Sequence, residues 1–554
     1  MKKRKLFPLL IVLFFPMVMA GQDSISTSAN DGAAKVQQIN QDMTLSQKID
    51  ESFRPVVDFM TKILFWDPFS ASGLHDPVAY DEMGKPLVDK EGRPIEHRVP
   101  FIVIWLIFGT ITFTIVMRFV NITGFKHAID LVRGRYDDPD DPGEVSHFQA
   151  LTTALSATVG LGNIAGVAIA ISVGGPGATF WMIVAGLLGM SSKFTECTLG
   201  VKYRKINDKG VVSGGPMYYL KYGLEKRNLK WLGIILSGLF ALLVIGGSFG
   251  GGNMFQANQS FSQLTYIIPS LSESGAWYGI ILAVLVGIVV IGGIKSIARV
   301  TDKIVPFMAI LYVGTALIII AMNIQHTGEA FRLIFDGAFS AGALKGGVIG
   351  VLIVGFQRAA FSNEAGVGSA AIAHSAVKTD KPITEGFVAL MEPFVDTVVI
   401  CTMTALVLIF TGTYENPMGL EGAQLTSKAF EQVFSWFPYL LVIAIFLFAF
   451  STMISWSYYG LKGFDYLFGG YSEKLFGNRN VAKYTYFIIF LMFIVIGSSS
   501  NLGSVMDFSD MMILSMGLPN ILGLLIMARE VRRDMDDYRG KIKRGEIKRF
   551  FLCG

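Results

Sequence analysis

Apolar residues in this chain fall into long runs divided by short polar connections. Windows of ~20 residues, enough to cross ~30 Å of hydrocarbon, recur about eleven times. They lie near residues 98–120, 148–172, 178–199, 232–264, 276–294, 304–323, 342–374, 386–412, 438–462, 483–498 and 509–528. The pattern predicts an all-α polytopic membrane protein. Ahead of the first window, IDESFRPVVDFMTKILFWDPFS at 49–70 places Phe53, Val56, Val57, Met60, Ile63 and Leu64 at helical spacing with Trp66 near the end, which predicts an interfacial helix.

The remaining N-terminal sequence reads differently. MKKRKLFPLLIVLFFPMVMA at 1–20 has a basic start, a short apolar stretch and small residues ending at Ala20, the form of a secretory signal peptide. Pro8, Pro16 and the shortness of the apolar part weigh against a retained anchor. Residues 21–45 are small and polar and read as a flexible exported leader. The turn-rich stretch HDPVAYDEMGKPLVDKEGRPIEHR at 75–98 predicts a small hairpin or loop outside the membrane, and carries no catalytic constellation.

Composition sharpens this picture. Of 554 residues, 52% are hydrophobic and 16% charged, an apolar excess that a soluble surface could not hide. The net charge of +4 reflects basic connections such as KYRKINDKG at 202–210, IKSIARVTDK at 294–303 and the Arg529, Arg532, Arg533 run, alternating with connections nearly free of Lys and Arg. That bias places the C-terminus in the cytoplasm and the N-terminus outside, and implies no nucleic-acid partner. Cys197, Cys401 and Cys553 show no CxxC spacing, so neither a metal nor a redox role is indicated.

One span departs from a plain anchor. ATVGLGNIAGVAIA at 157–170 places Gly160, Gly162, Gly166 and Asn163 inside an apolar run. Glycine costs a helix roughly 1 kcal/mol relative to alanine, and a buried amide needs partners where there is no water. A backbone that leaves the helix here would offer free amides to an anion and free carbonyls to a cation. The plainer alternative is close helix packing through small residues. Asn163-Ile-Ala-Gly166-Val167 has a counterpart in Asn363-Glu-Ala-Gly366-Val367 of the seventh span. With the first span (98–147) set aside, these open two groups of five helices, 148–324 and 342–528, ahead of a basic tail at 529–554. Five is odd, so the groups have opposite orientation, and glycine-interrupted segments in inverted halves point to a midplane transport site. The spacing of Gly160, Gly162 and Gly166 does not fit a dinucleotide loop.

The segments TALSATVGLGNIAGVAIAISVGGPGATFWM (153–182), GGPMYYL (214–220), GGNMFQANQS (251–260), FQRAAFSNEAGVGSAAIAHSA (356–376) and MEPFVDT (391–397) resemble, in order, the alanine or glycine:cation symporters of bacteria and archaea. The resemblance spans about 98–530 and does not reach residues 1–97. It implies a leucine-transporter-like 5+5 inverted repeat with one extra leading helix, importing small neutral amino acids with sodium, or less often protons, as the coupled ion. It further implies that Thr158, Gly162 and Asn163 hold the substrate with Gln256, Phe361, Asn363, Thr452 and Trp456. Sodium would be held by carbonyls near Ser156 and Val159 and by the hydroxyls of Ser451 and Thr452, since hard cations prefer oxygen ligands. The same hydroxyls could instead bond back to their own helix. No organic cofactor is implied.

Of the intramembrane charges, Glu392 and Asp396, four apart on one face, and Arg358 and Glu364, flanking the seventh-span break, read as pairs inside the bundle in preference to a proton relay. Lys193 and Glu196 read as interfacial, and His374 as a structural hydrogen-bonder. A channel would need a filter or charged ring, and an enzyme a Ser-His or HExxH arrangement. Neither is visible, which leaves a secondary symporter.

Overall fold

The computed structural model describes residues 45–74, 76–78, 85–86, 98–136, 141–208, 210–339 and 347–547. The signal-like start, the leader to residue 44 and most of the expected hairpin lie outside them. Among the described residues the chain is almost wholly helical, with a single two-residue strand pair, Lys205–Ile206 against Val212–Ser213.

Every expected span contains helix. Among the described residues six helices are long and apolar enough to cross a membrane, or seven with His147–Thr158 and Gly162–Gly174 taken as one bent span. The helices Phe101–Val116, Gly275–Val290 and Val348–Asn363 are apolar but shorter. Gly177–Lys202 is long, at 26 residues, but falls outside that set. The first span is shorter than expected because the backbone turns at Arg118 and Phe119, both with left-handed φ (50° and 53°). The last window, expected at 509–528, belongs to a continuous helical segment, Leu502–Lys543, that runs on into the basic tail.

The N-terminal helix, Leu45–Leu64, packs on Leu502–Ser515 and Asn480–Ser499. Val57 is buried in that seam, and Phe53 meets Phe508 edge-on with ring centroids 5.2 Å apart. Burying one such side chain contributes roughly 1.5–3 kcal/mol. Phe59, Ile63 and Trp66 remain exposed. Ile63, which the periodicity placed with the packed residues, therefore lies on the outer side.

Two breaks organise the centre. Ser146 caps the first half-helix, His147–Thr158: its hydroxyl accepts from the Gln149 amide while Gln149 Oε1 accepts from the Ser146 amide, each at 3.2 Å. That half-helix stops at Val159 (ψ 85°), and the chain resumes as a wide turn, Gly162–Gly166, and then Val167–Gly174, bent by 52°. The second break lies between Gly347–Asn363 and Ala370–His374, where Glu364, Gly366 and Gly368 all have positive φ (55°, 82° and 95°). The two breaks are thus built differently. At Gly366 and Gly368 glycine supplies a left-handed backbone. At Gly160 and Gly162, whose φ is not positive, it supplies close approach instead.

Candidate binding site at the paired breaks

A Cβ on Gly160 would lie 2.5 Å from Thr452 Oγ1 and 3.2 Å from Gln256 Oε1, and one on Gly162 would lie 3.3 Å from the Ser362 Cα. The backbone of the first break therefore lies directly against side chains of the helices Phe437–Phe464 and Phe255–Ile267 and against the backbone of Gly347–Asn363. The freed amides have side-chain acceptors: Gly160 N–H donates to Asn163 Oδ1 at 2.9 Å and Leu161 N–H to Gln256 Oε1 at 3.2 Å. Gln256 is itself oriented by donating from Nε2 to the Gly251 carbonyl at 2.8 Å.

On one side of this centre is a cluster of oxygens. Thr452 Oγ1 donates to the Ser156 carbonyl, Ser156 Oγ to the Ser451 carbonyl, and Ser455 Oγ to Ser156 Oγ, each at 3.0 Å. All four residues are buried. This donor set, made of hydroxyls and carbonyls, suits a hard monovalent cation. The hydroxyl of Ser451 does not join it. That group bonds back to the Phe448 carbonyl at 3.0 Å, and only the Ser451 carbonyl faces Ser156. Thr158 also bonds back, to Ala154 at 3.2 Å, and Val159 caps the end of that helix, its N–H donating to the Leu155 carbonyl. Ser455 was not singled out from sequence, although its place one turn beyond Ser451 and Thr452 on the same helix was the available signal.

On the other side lies a polar knot around Asp396. Asn163 Nδ2 donates to Asp396 Oδ1 at 2.6 Å, Ser362 Oγ to Asp396 Oδ2 at 2.9 Å, and Thr397 Oγ1 to Oδ2 at 2.7 Å. Asn363 repeats the device one residue along: Oδ1 accepts from the Ala365 amide and Nδ2 donates to Thr397 Oγ1, both at 2.9 Å. The counterpart asparagines of the two breaks thus meet adjacent residues in one wide helical turn, Phe394–Cys401.

Phe361 and Trp456 are the large aromatic side chains packed beside these breaks. The Phe361 ring meets Phe255 edge-on at 5.1 Å. A Cβ on Gly251 would lie 3.0 Å from the Phe361 ring, and one on Gly252 2.3 Å from the Trp456 ring. The two aromatics therefore rest on successive glycines. Trp456 Nε1 donates to Glu364 Oε1 at 3.0 Å.

The charges depart from the sequence expectation. Lys193 and Glu196 are fully buried, not interfacial: Lys193 reaches Glu392 at 3.0 Å and Glu196 at 3.9 Å, and water is replaced by these partners. Among the described residues Asp396 has no ion-pair partner, and its hydrogen-bond donors Asn163, Ser362 and Thr397 are neutral. Arg358 pairs with Asp510, not with Glu364. His374 bridges Glu385 and Glu392, and Glu385 also meets His147. A buried chain of carboxylates, histidines and Lys193 thereby ties the half-helix His147–Thr158 to Gly177–Lys202 and Pro382–Thr411.

Comparison with known proteins supplies the remaining finding. The family model described as the sodium:alanine symporter family matches residues 88–551. The sodium/alanine symporter AgcS of Methanococcus maripaludis is 39% identical over 452 residues, covering 81% of this chain and 96% of that protein. The probable sodium/glutamine symporter GlnT of Bacillus subtilis is 34% identical, covering 81% of this chain and 90% of that protein. The crystal structure of MhsT in complex with L-phenylalanine aligns with TM-score 0.47 and 15% identity, over 70% of this chain and 98% of that one.

Proposed function

The chain belongs to the sodium:alanine symporter family, and from that premise we propose that it imports small neutral amino acids, alanine or glycine, with sodium by alternating access between two inverted five-helix repeats. It is a transporter and not an enzyme. The observation that carries the substrate reading is the meeting of Gly160, Gln256 and Thr452 at the first break, with Trp456 one helical turn from Thr452. A substrate carboxylate exchanges with the side-chain oxygens that receive the amides of Gly160 and Leu161, and so meets fixed donors at the broken helix end. Gly162 lets the chain pass close to Ser362, and Asn163 and Asn363 hold the two breaks in register, while Phe361 and Trp456 bound the side chain. Thr158 ends the half-helix His147–Thr158, four residues before Gly162. Sodium is held by the Ser156 and Ser451 carbonyls with the hydroxyls of Thr452, Ser156 and Ser455, the Val159 carbonyl completing the set.

The protein lies in the bacterial inner membrane with its N-terminus outside, on the evidence of the Lys and Arg bias. Two observations favour specific alternatives. Asp396, a buried carboxylate with neutral donors, is the group a coupling proton would occupy. The relative named for glutamine favours a wider neutral substrate range. Uptake into proteoliposomes of labelled glycine, alanine, serine and glutamine, with sodium, potassium and proton gradients imposed separately, tests all three. Sodium-driven accumulation of alanine or glycine supports the proposal, whereas accumulation driven by protons alone, or of glutamine in preference, replaces it with the corresponding alternative.

A further inference from the structure

We infer that Glu364 is a positioning residue that sets the size of substrate accepted, by fixing the indole of Trp456. The inference rests on the reading of Trp456 as the wall against the substrate side chain.

Glu364 is buried and sits in the second break with a left-handed backbone, a conformation rare for a residue with a Cβ. Its two oxygens have separate tasks. Oε2 receives the hydroxyl of Ser369, across the break from Glu364 itself. Oε1 receives the indole N–H of Trp456 at 3.0 Å, from the helix Phe437–Phe464. The cation six residues before it, Arg358 on the helix Gly347–Asn363, is turned to Asp510. Glu364 is therefore held by its own break and presents one oxygen outward, to the indole.

Trp456 needs that oxygen. An indole has one polar atom, which only donates, so a single acceptor fixes the rotation of the ring. The ring face rests on backbone: Cβ atoms on Gly252 and Gly247 would lie 2.3 Å and 3.3 Å from it. Tyr459 meets the ring edge-on at 5.4 Å. These contacts restrict how far the ring can tilt and do not select its direction. The bond to Glu364 selects it, and the direction decides how much room remains beyond Thr452, one turn away. The carboxylate therefore acts at a distance from the substrate, through the wall. A glutamine at 364 retains an acceptor oxygen of the same reach, and a leucine retains the bulk and removes the acceptor.

The test is competition for alanine uptake by valine and leucine in the reconstituted full-length protein, with KM and kcat separated. Glu364→Leu is expected to lower the preference for alanine over leucine by about tenfold, chiefly through KM, while Glu364→Gln keeps the parental preference within about twofold. Trp456→Phe, which removes the N–H and keeps a ring, should lower the preference similarly, and Glu364→Leu added to it should change nothing more. If Glu364→Leu fails to insert, Trp456→Phe with and without Glu364→Gln reads the same bond from the other side. A shift in preference with Trp456→Leu but none with Glu364→Leu or Trp456→Phe overturns the role of Glu364 and leaves the wall in place. No shift with any Trp456 variant removes the wall itself. Additive effects of Glu364→Leu and Trp456→Phe would show that the carboxylate acts by another route.

Discussion

The side-chain amide of Asn163 donates to the carboxylate of Asp396 across 2.6 Å, and so binds the broken second span to the helical segment Pro382–Thr411. Asp396→Ala would take the carboxylate acceptor from the Ser362 and Thr397 hydroxyls, at a cost of about 1–3 kcal/mol for each buried group, while Asn163 Nδ2 keeps the backbone carbonyl of residue 396 at 3.0 Å. Asp396→Asn keeps an oxygen for one of them and is expected to lose less. Thermal melting in detergent together with uptake should rank the proteins parent, Asn, Ala. Equal melting of parent and Ala variant would remove the knot from the account of stability.

For sodium, the geometry separates residues that the sequence treats alike. Thr452→Val removes a hydroxyl that meets the Ser156 carbonyl, and Ser455→Ala removes one that meets Ser156 Oγ. Both are expected to raise the sodium concentration for half-maximal uptake several-fold. Ser451→Ala should change it least, because that hydroxyl serves the Phe448 carbonyl. A larger effect of Ser451→Ala than of Thr452→Val would move the ion elsewhere.

The proposed size wall, Trp456, has a direct test. Its replacement by leucine lengthens the pocket beyond Thr452 and relieves the overpacking of about 1–3 kcal/mol that larger substrates would meet. Alanine and glycine should bind more weakly and valine or leucine compete better, as read by inhibition of labelled alanine uptake. Loss of every amino acid from a folded Trp456→Leu protein would instead make the residue a packing element.

Lys193 is a stability determinant. It lies fully buried between Glu392 and Glu196, so Lys193→Met strands carboxylates in a low-dielectric interior, a loss of about 3–5 kcal/mol when one partner of a buried pair goes. Lys193→Met should melt far below the parent, and Lys193→Met with Glu392→Gln should recover part of the difference. No recovery in the double variant would mean that the pair is not the source.

Topology has its own check. A reporter joined after Gly554 should be cytoplasmic, and one inserted at Asp81 exported. Both on one side would contradict an odd number of spans.

The helices and the first break were legible because they rest on local pattern: apolar runs for the spans, and glycines beside an asparagine for the interruption. Long-range partners were not. Nothing within twenty residues of Lys193 indicates that Glu392 will neutralise it, so exposure was the natural reading for a charge near a helix end. Asp396 was read by its spacing from Glu392, yet its neighbours Asn163 and Ser362 come from two other spans. Ser451 and Thr452 are adjacent and chemically similar. Only the rotation of their helix decides that one offers a hydroxyl across the site and the other a carbonyl.

The wide turn at Phe394–Cys401 receives Asn163 at one residue and Asn363 at the next. Such a turn accommodates one residue more than an ordinary helical turn, and one residue corresponds to ~100° of rotation about the axis. If the extra residue were taken up elsewhere along the segment, Asp396 and Thr397 would swing away together. Neither asparagine would then be released while the other stayed, and the two breaks would disengage together, as through a single clutch.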